Sequence, residues 1–180
     1  MKADESVFIT LLKMQPFYET SDCNSIIRFG KPNSKLHVTV FSNPYCTPCA
    51  MMHKKIDELL LKTKNNISVQ YILSSFEEKL NSTNKYLIAA CLDNNTGSIM
   101  QIFSDWFEKG KTFRDDFFSN RSLNMENPEI EVEFEKHETW TAKNQLRGTP
   151  TVLVNGYQLP ESYNIEDLRY FTDLGSMLFS

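Results

Sequence analysis

The chain has 180 residues, a formal net charge of −4 and 41% apolar residues, including 13 Phe, 7 Tyr and 2 Trp. This length and composition suffice for one sizeable hydrophobic core, so we expect a single domain over residues 1–180. The acidic balance gives no electrostatic footprint for nucleic acid, and no apolar run reaches the ~20 residues needed to cross a bilayer. The residues that follow Met1 do not have the pattern of a signal peptide.

The first half of the chain contains two strand-like runs separated by a helical run. Residues 36–41 are predicted as a strand, and an amphipathic helix is predicted over residues 50–62. Residues 67–73 then form a second run of the kind found in parallel sheets. A pair of cysteines lies where the first strand gives way to the helix.

Five further helices are predicted from apolar spacing, over residues 86–92, 99–107, 113–118, 128–146 and 164–171. Thr83 or Asn81 is expected to cap the first of them, which ends near residues 93–95, and Gly110 to end the second. Asn164 or Ser162 is the expected cap of the last helix.

A hairpin is predicted between the last two helices. Pro150 directly precedes the β-branched run of residues 151–154, and the Asn-Gly pair at residues 155–156 is typical of a tight turn between strands. Because proline removes a ladder donor, we expect it at the first residue of the strand, and Thr149-Pro150 is a candidate for a cis peptide bond.

The motif Cys46-Thr47-Pro48-Cys49 is the strongest functional signal in the sequence. Unpaired N–H groups and the helix dipole stabilise a thiolate at the start of a helix, so Cys46 is the candidate nucleophile. Cys49 lies one turn further on, within reach of a mixed disulfide on Cys46, and is the candidate resolving thiol. Thr47 and Pro48 are candidates for tuning the pair, and Pro48 suits the first turn of a helix.

A zinc site is the alternative interpretation of the same cysteines, since His53 follows them at a spacing that would add a third ligand. Structural zinc normally takes four protein ligands, and the sequence has no second Cys-x-x-Cys or His pair. We therefore expect no metal and no cofactor. His53 is also a candidate for tuning the thiolate, provided that its imidazole is protonated.

From Ile26 to Phe171 the sequence resembles the thioredoxin-fold thiol-disulfide oxidoreductases, and within them the DsbA-like branch. The resemblance is carried by residues 29–33, which lead into residues 38–49, and by residues 148–151 before the last hairpin. Residues 42–53 and 148–160 are also similar to the thioredoxin domain fused to bacterial vitamin K epoxide reductase homologues. The resemblance implies an α/β thioredoxin fold with a helical insertion at about residues 80–143.

The resemblance also implies roles for the Thr-Pro pair. Pro150 would be the cis-proline, packed against the dithiol and keeping metal away from it. The backbone of Thr149 would pair with an extended segment of substrate. The alternative is an ordinary proline at the entry to a strand.

Val40 departs from the pattern of many relatives. In many thioredoxin-fold enzymes the position six residues before the nucleophile carries a buried Asp or Glu, which moves the proton of the resolving thiol; here it is Val40. The task of the missing carboxylate, to move the proton of the resolving thiol, would then fall to a water molecule, the Cys46 thiolate, a group of a partner or His53.

Two further cysteines lie outside the motif. Cys91 is predicted as a small buried hydrophobe in a helix, and Cys23 as an exposed residue. Whether the two form a disulfide is left open by the sequence.

The sequence therefore predicts an enzyme that exchanges disulfides with thiol-containing proteins or peptides. The resemblance favours an oxidase in extracytoplasmic disulfide formation, in the bacterial periplasm, either as a trimmed chain or as a domain of a membrane-anchored parent. Its redox partner would be a membrane protein of the vitamin K epoxide reductase type. The alternatives are a disulfide reductase or isomerase, and a non-catalytic thioredoxin-fold binding domain that senses redox state.

Overall fold

The structure is a computed structural model that describes residues 4–74, 77–93 and 98–174. Its strands are β1 (Arg28–Gly30), β2 (His37–Ser42), β3 (Ser68–Leu73), β4 (Thr151–Val154) and β5 (Tyr157–Gln158). Its α-helices are α1 (Glu5–Lys13), α2 (Thr47–Lys62), α3 (Glu78–Leu92), α4 (Ile99–Asp105), α5 (Arg114–Ser119) and α6 (Glu129–Asn144). A π-helical turn (Trp106–Gly110) continues α4, and a 3₁₀-helix (Ile165–Tyr170) follows β5.

The five strands form one mixed sheet in the order β1-β3-β2-β4-β5. The central pair, β2 and β3, is parallel, as expected for two strands joined through a helix. The other neighbours are antiparallel. The predicted α/β class and thioredoxin fold are confirmed.

The two faces of the sheet are covered by different helices. Val38 and Val40 in β2 belong to the larger core, to which α2 contributes Ile56. Phe41, which points to the opposite face, packs against Trp140 of α6 with ring centroids 6.1 Å apart. Because both faces are covered, β2 and β3 are buried along almost their whole length, including polar residues such as Thr39 and Gln70.

Between β3 and β4 the chain forms the helices α3 to α6, close to the segment expected to be inserted. The first of them begins at Glu78, well before the predicted start at residue 86. Thr83 and Asn81 are therefore inside this helix and do not cap it. The apolar pattern misses the first turns because they carry polar residues, while Thr83 and Asn84 are buried there by tertiary contacts. The predicted helix boundary at residues 94–97 lies outside the described residues.

The other helices agree more closely with the prediction. The second ends at Gly110 through the π-helical turn, and the last insertion helix begins after Pro128. The C-terminal element is capped by Asn164 as expected, but it is a 3₁₀-helix. In the hairpin turn, Asn155 and Gly156 both have positive φ, at 49° and 92°, which matches the predicted Asn-Gly turn.

Two other expectations have different outcomes. In the three described ranges, no helix is long and apolar enough to cross a membrane. The prediction that Cys23 is exposed is wrong: its side chain is fully buried beside Phe41 and Trp140. Cys91 is partly buried against the larger core, and both cysteines are free thiols. That residues 1–180 form a single domain stays a prediction.

Candidate active site

The dithiol lies at the N-terminus of α2, directly after β2 and a short loop. Cys46 is the N-cap residue, with extended backbone angles, and its Sγ atom accepts a hydrogen bond from the N–H of Cys49 at 3.3 Å. Pro48 lies in the first turn, where an N–H group is not needed. A negative charge on Cys46 would therefore meet an N–H donor and the positive end of a 16-residue helix.

The two cysteines differ in accessibility. Cys46 is partly exposed, and its neighbours Thr47 and Pro48 are exposed beside it. Cys49 is 2% exposed. Burial, followed by the hydrogen bond with Cys46, raises the pKa of Cys49 to about 11, although the N–H of Asn43 faces its sulfur at 3.5 Å. An incoming sulfur can reach Cys46 from solvent, whereas Cys49 stays protonated inside.

The Thr149-Pro150 segment is brought against the dithiol from the other end of the chain. Its peptide bond is cis, as the sequence suggested. The Sγ atom of Cys46 lies 3.6 Å from the carbonyl oxygen of Thr149 and can donate to it. Thr149 and Pro150 are both partly exposed, so the backbone beside Cys46 borders solvent.

The loop that leads into Cys46 is held by the inserted helices. The indole N–H of Trp106 donates to the carbonyl of Pro44 at 2.7 Å. The hydroxyl of Tyr45 is 2.7 Å from that of Thr83, which also accepts from Arg114 at 3.1 Å. Tyr45 is thus a packing residue of this loop. These contacts could not be predicted from the sequence. The one hint is that a buried Trp or Tyr needs a partner for its polar atom.

His53 is placed beneath the dithiol, one turn beyond Cys49 on the inner side of α2. Its Nδ1 atom is 2.5 Å from the hydroxyl of Tyr71, and its Nε2 atom is 2.9 Å from that of Ser104. Burial lowers the pKa of His53 to about 4, so the imidazole is neutral near pH 7. The suggestion that a protonated His53 tunes Cys46 is therefore not supported. Sequence analysis did not single out Tyr71 or Ser104.

The zinc interpretation finds no ligand set. In the part of the chain that the structure describes, no three His, Cys, Asp or Glu side chains are arranged to hold a metal ion. Both ring nitrogens of His53 face hydroxyl groups.

A groove of about 400 Å³ borders the dithiol on the side of α4. It runs from Thr47 and Ala50, at the start of α2, to Ser104 and Phe107, and Met51 lies on its rim with 59% exposure. The groove thus connects the surface beside Cys46 with the hydrogen bond between Ser104 and His53.

The structure has a parallel strand-helix-strand unit with a dithiol at the N-terminus of the helix. An X-Pro peptide that precedes an antiparallel strand faces this dithiol. This combination defines the class of thioredoxin-fold proteins. Comparison with family models agrees: the thioredoxin model matches residues 23–173. The chain belongs to the thioredoxin family.

Solved structures of several DsbA-like proteins share this fold. BdbD from Bacillus subtilis is 16% identical, with a TM-score of 0.61, and the match covers 92% of this chain and 98% of that one. Reduced DsbA1 from Neisseria meningitidis is 18% identical, with a TM-score of 0.63 and coverage of 84% and 92%. DsbA from Xylella fastidiosa is 19% identical, with a TM-score of 0.58 and coverage of 81% and 88%. The predicted DsbA-like architecture is confirmed, while a comparison with curated protein sequences gives no significant match.

Proposed function

We propose that the protein is a thiol-disulfide oxidoreductase in which Cys46 is the nucleophile and Cys49 the resolving thiol. One observation carries the proposal: the accessible sulfur of Cys46 lies between the N–H of Cys49 and the carbonyl of Thr149, at 3.3 Å and 3.6 Å. The N–H of Cys49 stabilises a negative charge on the Cys46 sulfur, and the carbonyl of Thr149 marks where the backbone of a bound substrate segment would lie.

In the oxidising direction, a substrate thiolate attacks Cys46 of the Cys46–Cys49 disulfide. The bond between the two cysteines breaks, and Cys49 leaves and takes up a proton. A second substrate thiolate then attacks the substrate sulfur of the mixed disulfide and displaces the Cys46 thiolate. The substrate loses two electrons as it gains a disulfide, and the protein gains them as a dithiol.

Substrate recognition is proposed to depend on main-chain contacts. An extended segment laid along Thr149 and Pro150 would present its cysteine to Cys46, and backbone pairing tolerates many side chains. Thr47 and Pro48 add no charge next to Cys46, so the helix terminus supplies most of the thiolate stabilisation. The exposed Met51 offers apolar contact to an unfolded chain.

The direction we propose is oxidation, in an extracytoplasmic compartment such as the bacterial periplasm. Similarity to DsbA and BdbD structures supports this choice, and a stabilised Cys46 thiolate is a good leaving group. The reduced dithiol would be reoxidised by a membrane redox partner of the vitamin K epoxide reductase type, whose disulfide would accept the two electrons. Thiol-containing proteins or peptides are the proposed substrates.

The test of catalysis is a trapping experiment with a Cys49→Ala variant. We expect it to accumulate a stable mixed disulfide between Cys46 and a cysteine-containing peptide disulfide, detected by mass spectrometry. The matched control, Cys91→Ala, should accumulate none, because its resolving thiol is intact. Absence of an adduct on Cys49→Ala would contradict catalysis and favour a redox-sensing binding domain.

The test of direction is equilibration of the dithiol with glutathione. A potential well above that of thioredoxin, about −270 mV, agrees with the oxidase proposal. A value near or below it would instead assign the protein to the reductases.

A further inference from the structure

A turn around Asn43 joins β2 to the helix that carries the dithiol, and the proposed chemistry above does not use this residue. The side-chain oxygen of Asn43 accepts a hydrogen bond from the N–H of Tyr45 at 2.8 Å, and its carbonyl accepts one from the N–H of Cys46 at 3.2 Å. Asparagine favours such a turn because its side chain can bond to the backbone two residues on. Pro44 in addition restricts the backbone of Asn43 to extended angles. The turn thus fixes the direction of the Asn43 N–H.

This N–H faces the resolving thiol. The nitrogen of Asn43 lies 3.5 Å from the Sγ atom of Cys49 and donates to it. The N–H of Cys49 in turn donates to the Sγ atom of Cys46 at 3.3 Å. Each sulfur of the dithiol therefore has a main-chain donor of its own.

The other main-chain donors of the loop are committed elsewhere. Pro44 has no N–H. The N–H of Tyr45 binds the side chain of Asn43, and the N–H of Cys46 binds the Asn43 carbonyl. Asn43 is therefore the residue through which this loop presents a donor to Cys49.

A second Asn-Pro turn, before α6, shows which part of the arrangement is general. The side-chain oxygen of Asn127 accepts from the N–H of Glu129 at 3.0 Å, and its carbonyl accepts from the N–H of Ile130 at 3.1 Å. The N–H of Asn127, however, donates to the carbonyl of Asn124 at 3.4 Å. The turn is thus a way of starting a helix, and the contact with sulfur is particular to Asn43.

A donor at this place answers a need that the site creates. Cys49 attacks only as a thiolate, but it is 2% exposed, and burial above all raises its pKa to about 11. Val40 stands where many relatives have a buried carboxylate and cannot take a proton. A hydrogen bond from a neutral N–H favours the thiolate over the thiol, so it offsets part of the effect of burial.

We infer that Asn43 is a positioning residue for the step in which Cys49 breaks the mixed disulfide on Cys46. Its side chain holds the turn in which its own N–H stabilises the Cys49 thiolate. This thiolate forms a bond to the sulfur of Cys46, the bond between Cys46 and the substrate breaks, and the substrate leaves as a thiolate. The proton that Cys49 gave up returns through water to the released thiolate. In the oxidising direction the same N–H stabilises Cys49 as the leaving group. The inference rests on the proposed function.

The titratable groups around Cys49 keep one charge state in the range where the test is made. Cys46, its hydrogen-bonded neighbour, is tied up in the mixed disulfide. Tyr71 of β3 belongs to the same buried cluster, and burial keeps its pKa well above 10. His53, four residues further along α2, is neutral because burial lowers its pKa to about 4. Between about pH 6 and pH 9 the pH dependence of the step therefore comes from Cys49.

The test follows a mixed disulfide with glutathione by stopped flow. Reduced protein attacks oxidised glutathione through Cys46, which releases one glutathione thiolate; Cys49 then attacks Cys46 and releases the second. The dithiol loses two electrons, and oxidised glutathione gains them. The second step isolates resolution by Cys49, and mixing oxidised protein with reduced glutathione gives the rate of its reverse.

Asn43→Ala removes the side-chain acceptor and leaves the backbone in place. At pH 7 we expect the second step to slow by about 3- to 10-fold, because a bond to charged sulfur is weakened and the sulfur carries about half of its charge in the transition state. The first step should change less than twofold. Asn43→Ser, whose hydroxyl can also accept from the N–H two residues on, should recover most of the rate. The matched control, Asn127→Ala, removes the same kind of bond and should resolve at the wild-type rate.

Two readouts separate an effect on the thiolate from a general structural effect. The reduced protein holds Cys49 as a thiol and the oxidised protein holds it as a disulfide, so the charge exists only during the step. Asn43→Ala should therefore slow the reverse reaction by the same factor and change the equilibrium constant with glutathione less than twofold. The deficit should also shrink as pH rises toward about 11, where Cys49 is already a thiolate.

Several outcomes would overturn the inference. They are wild-type resolution in Asn43→Ala, an equal deficit in Asn127→Ala, a deficit that is independent of pH, and a change in the equilibrium constant as large as the deficit. Pro44→Ala, which frees the backbone of Asn43, should show a smaller deficit with the same pH trend and provides the test if Asn43→Ala does not fold. If no glutathione adduct forms on Cys46 at all, the proposed function itself fails.

Discussion

The sulfur of Cys46 lies 3.6 Å from the carbonyl oxygen of Thr149, a residue 103 positions further along the chain. The sheet produces this contact, because β2 and β4 are antiparallel neighbours and Val40 pairs with Val152. The end of β2 and the start of β4 therefore meet at the same edge. The redox motif and the Thr-Pro motif are two parts of one site.

Replacement of Thr149 by alanine tests whether its backbone or its side chain matters. Because the carbonyl is unchanged, we expect Thr149→Ala to alter the rate of mixed-disulfide formation by less than about threefold. The rate is measured with a cysteine peptide disulfide in the Cys49→Ala background. A tenfold or greater loss would assign recognition to the side chain.

Replacement of Trp106 by phenylalanine tests the support of the active-site loop by the inserted helices. The change leaves the buried carbonyl of Pro44 without its donor, so we expect the free energy of unfolding to fall by about 1–3 kcal/mol in urea titrations. The rate of Cys46 alkylation should also fall, because the loop positions Cys46 at the helix end.

Trp140→Phe is the matched control for this prediction. Its indole N–H also donates to a backbone carbonyl, that of Glu19 at 2.8 Å, but on the opposite face of the sheet. It should lose similar stability and keep the wild-type alkylation rate. Equal alkylation in both variants would show that Trp106 contributes to stability alone.

The parts of the fold that could be predicted have strong local signals. The parallel strands, the helix after Cys46 and the Asn-Gly turn depend on apolar runs, capping and turn residues within a few positions. The predicted start of α3 was wrong because the first turns of this helix are polar and are stabilised by contacts with distant residues. Cys23 looked exposed among polar neighbours, yet Phe41 and Trp140 cover it from other elements.

The same distinction applies to the site. Cys46 and Cys49 could be recognised because they form a motif four residues long. The partners of His53 could not, because Tyr71 and Ser104 come from separate elements and neither is unusual in its own segment. The sequence leaves a charged His53 possible, and only its burial among aromatic rings, which lowers the pKa of the imidazole, makes it neutral.

A buried carboxylate on the other face of the sheet gives a prediction about stability. Glu133 accepts from the N–H of Ile26 at 3.0 Å, from His137 at 2.8 Å and from Lys136 at 2.7 Å. Glu133→Gln should lower the free energy of unfolding by about 1–3 kcal/mol at pH 7, because bonds to a charged acceptor are lost. Glu135→Gln, exposed on the same helix, should change it little.

The pH dependence of this difference has a defined sign. Burial acts to raise the pKa of Glu133, but the hydrogen bonds from His137, Lys136 and Ile26 outweigh it and hold the pKa below 4.5. The stabilisation is therefore complete above the unfolded pKa and is lost as pH falls through the lower folded pKa. Wild type and Glu133→Gln should converge in acid; a constant difference would contradict the assignment.

The lowered pKa of His53 leads us to expect a second loss of stability in acid. The unfolded imidazole binds a proton near pH 6.5, whereas burial lowers the folded pKa to about 4, so the unfolded state binds more protons between these values. Stability should fall by up to about 3 kcal/mol as pH drops from 6.5 to 4. In His53→Asn this slope should be smaller, though not zero, because His37 has the same shift. An unchanged slope would contradict a neutral buried His53.

The central claim is that Cys46 and Cys49 exchange a disulfide with other thiols, and stoichiometric turnover tests it most directly. Oxidised protein is mixed with an equal amount of a reduced peptide that has two cysteines, and both are analysed by mass spectrometry after acid quenching. We predict that the peptide gains a disulfide while the protein loses one, with a Cys46-linked adduct as the intermediate. A peptide that stays reduced beside an intact Cys46–Cys49 disulfide would contradict the account.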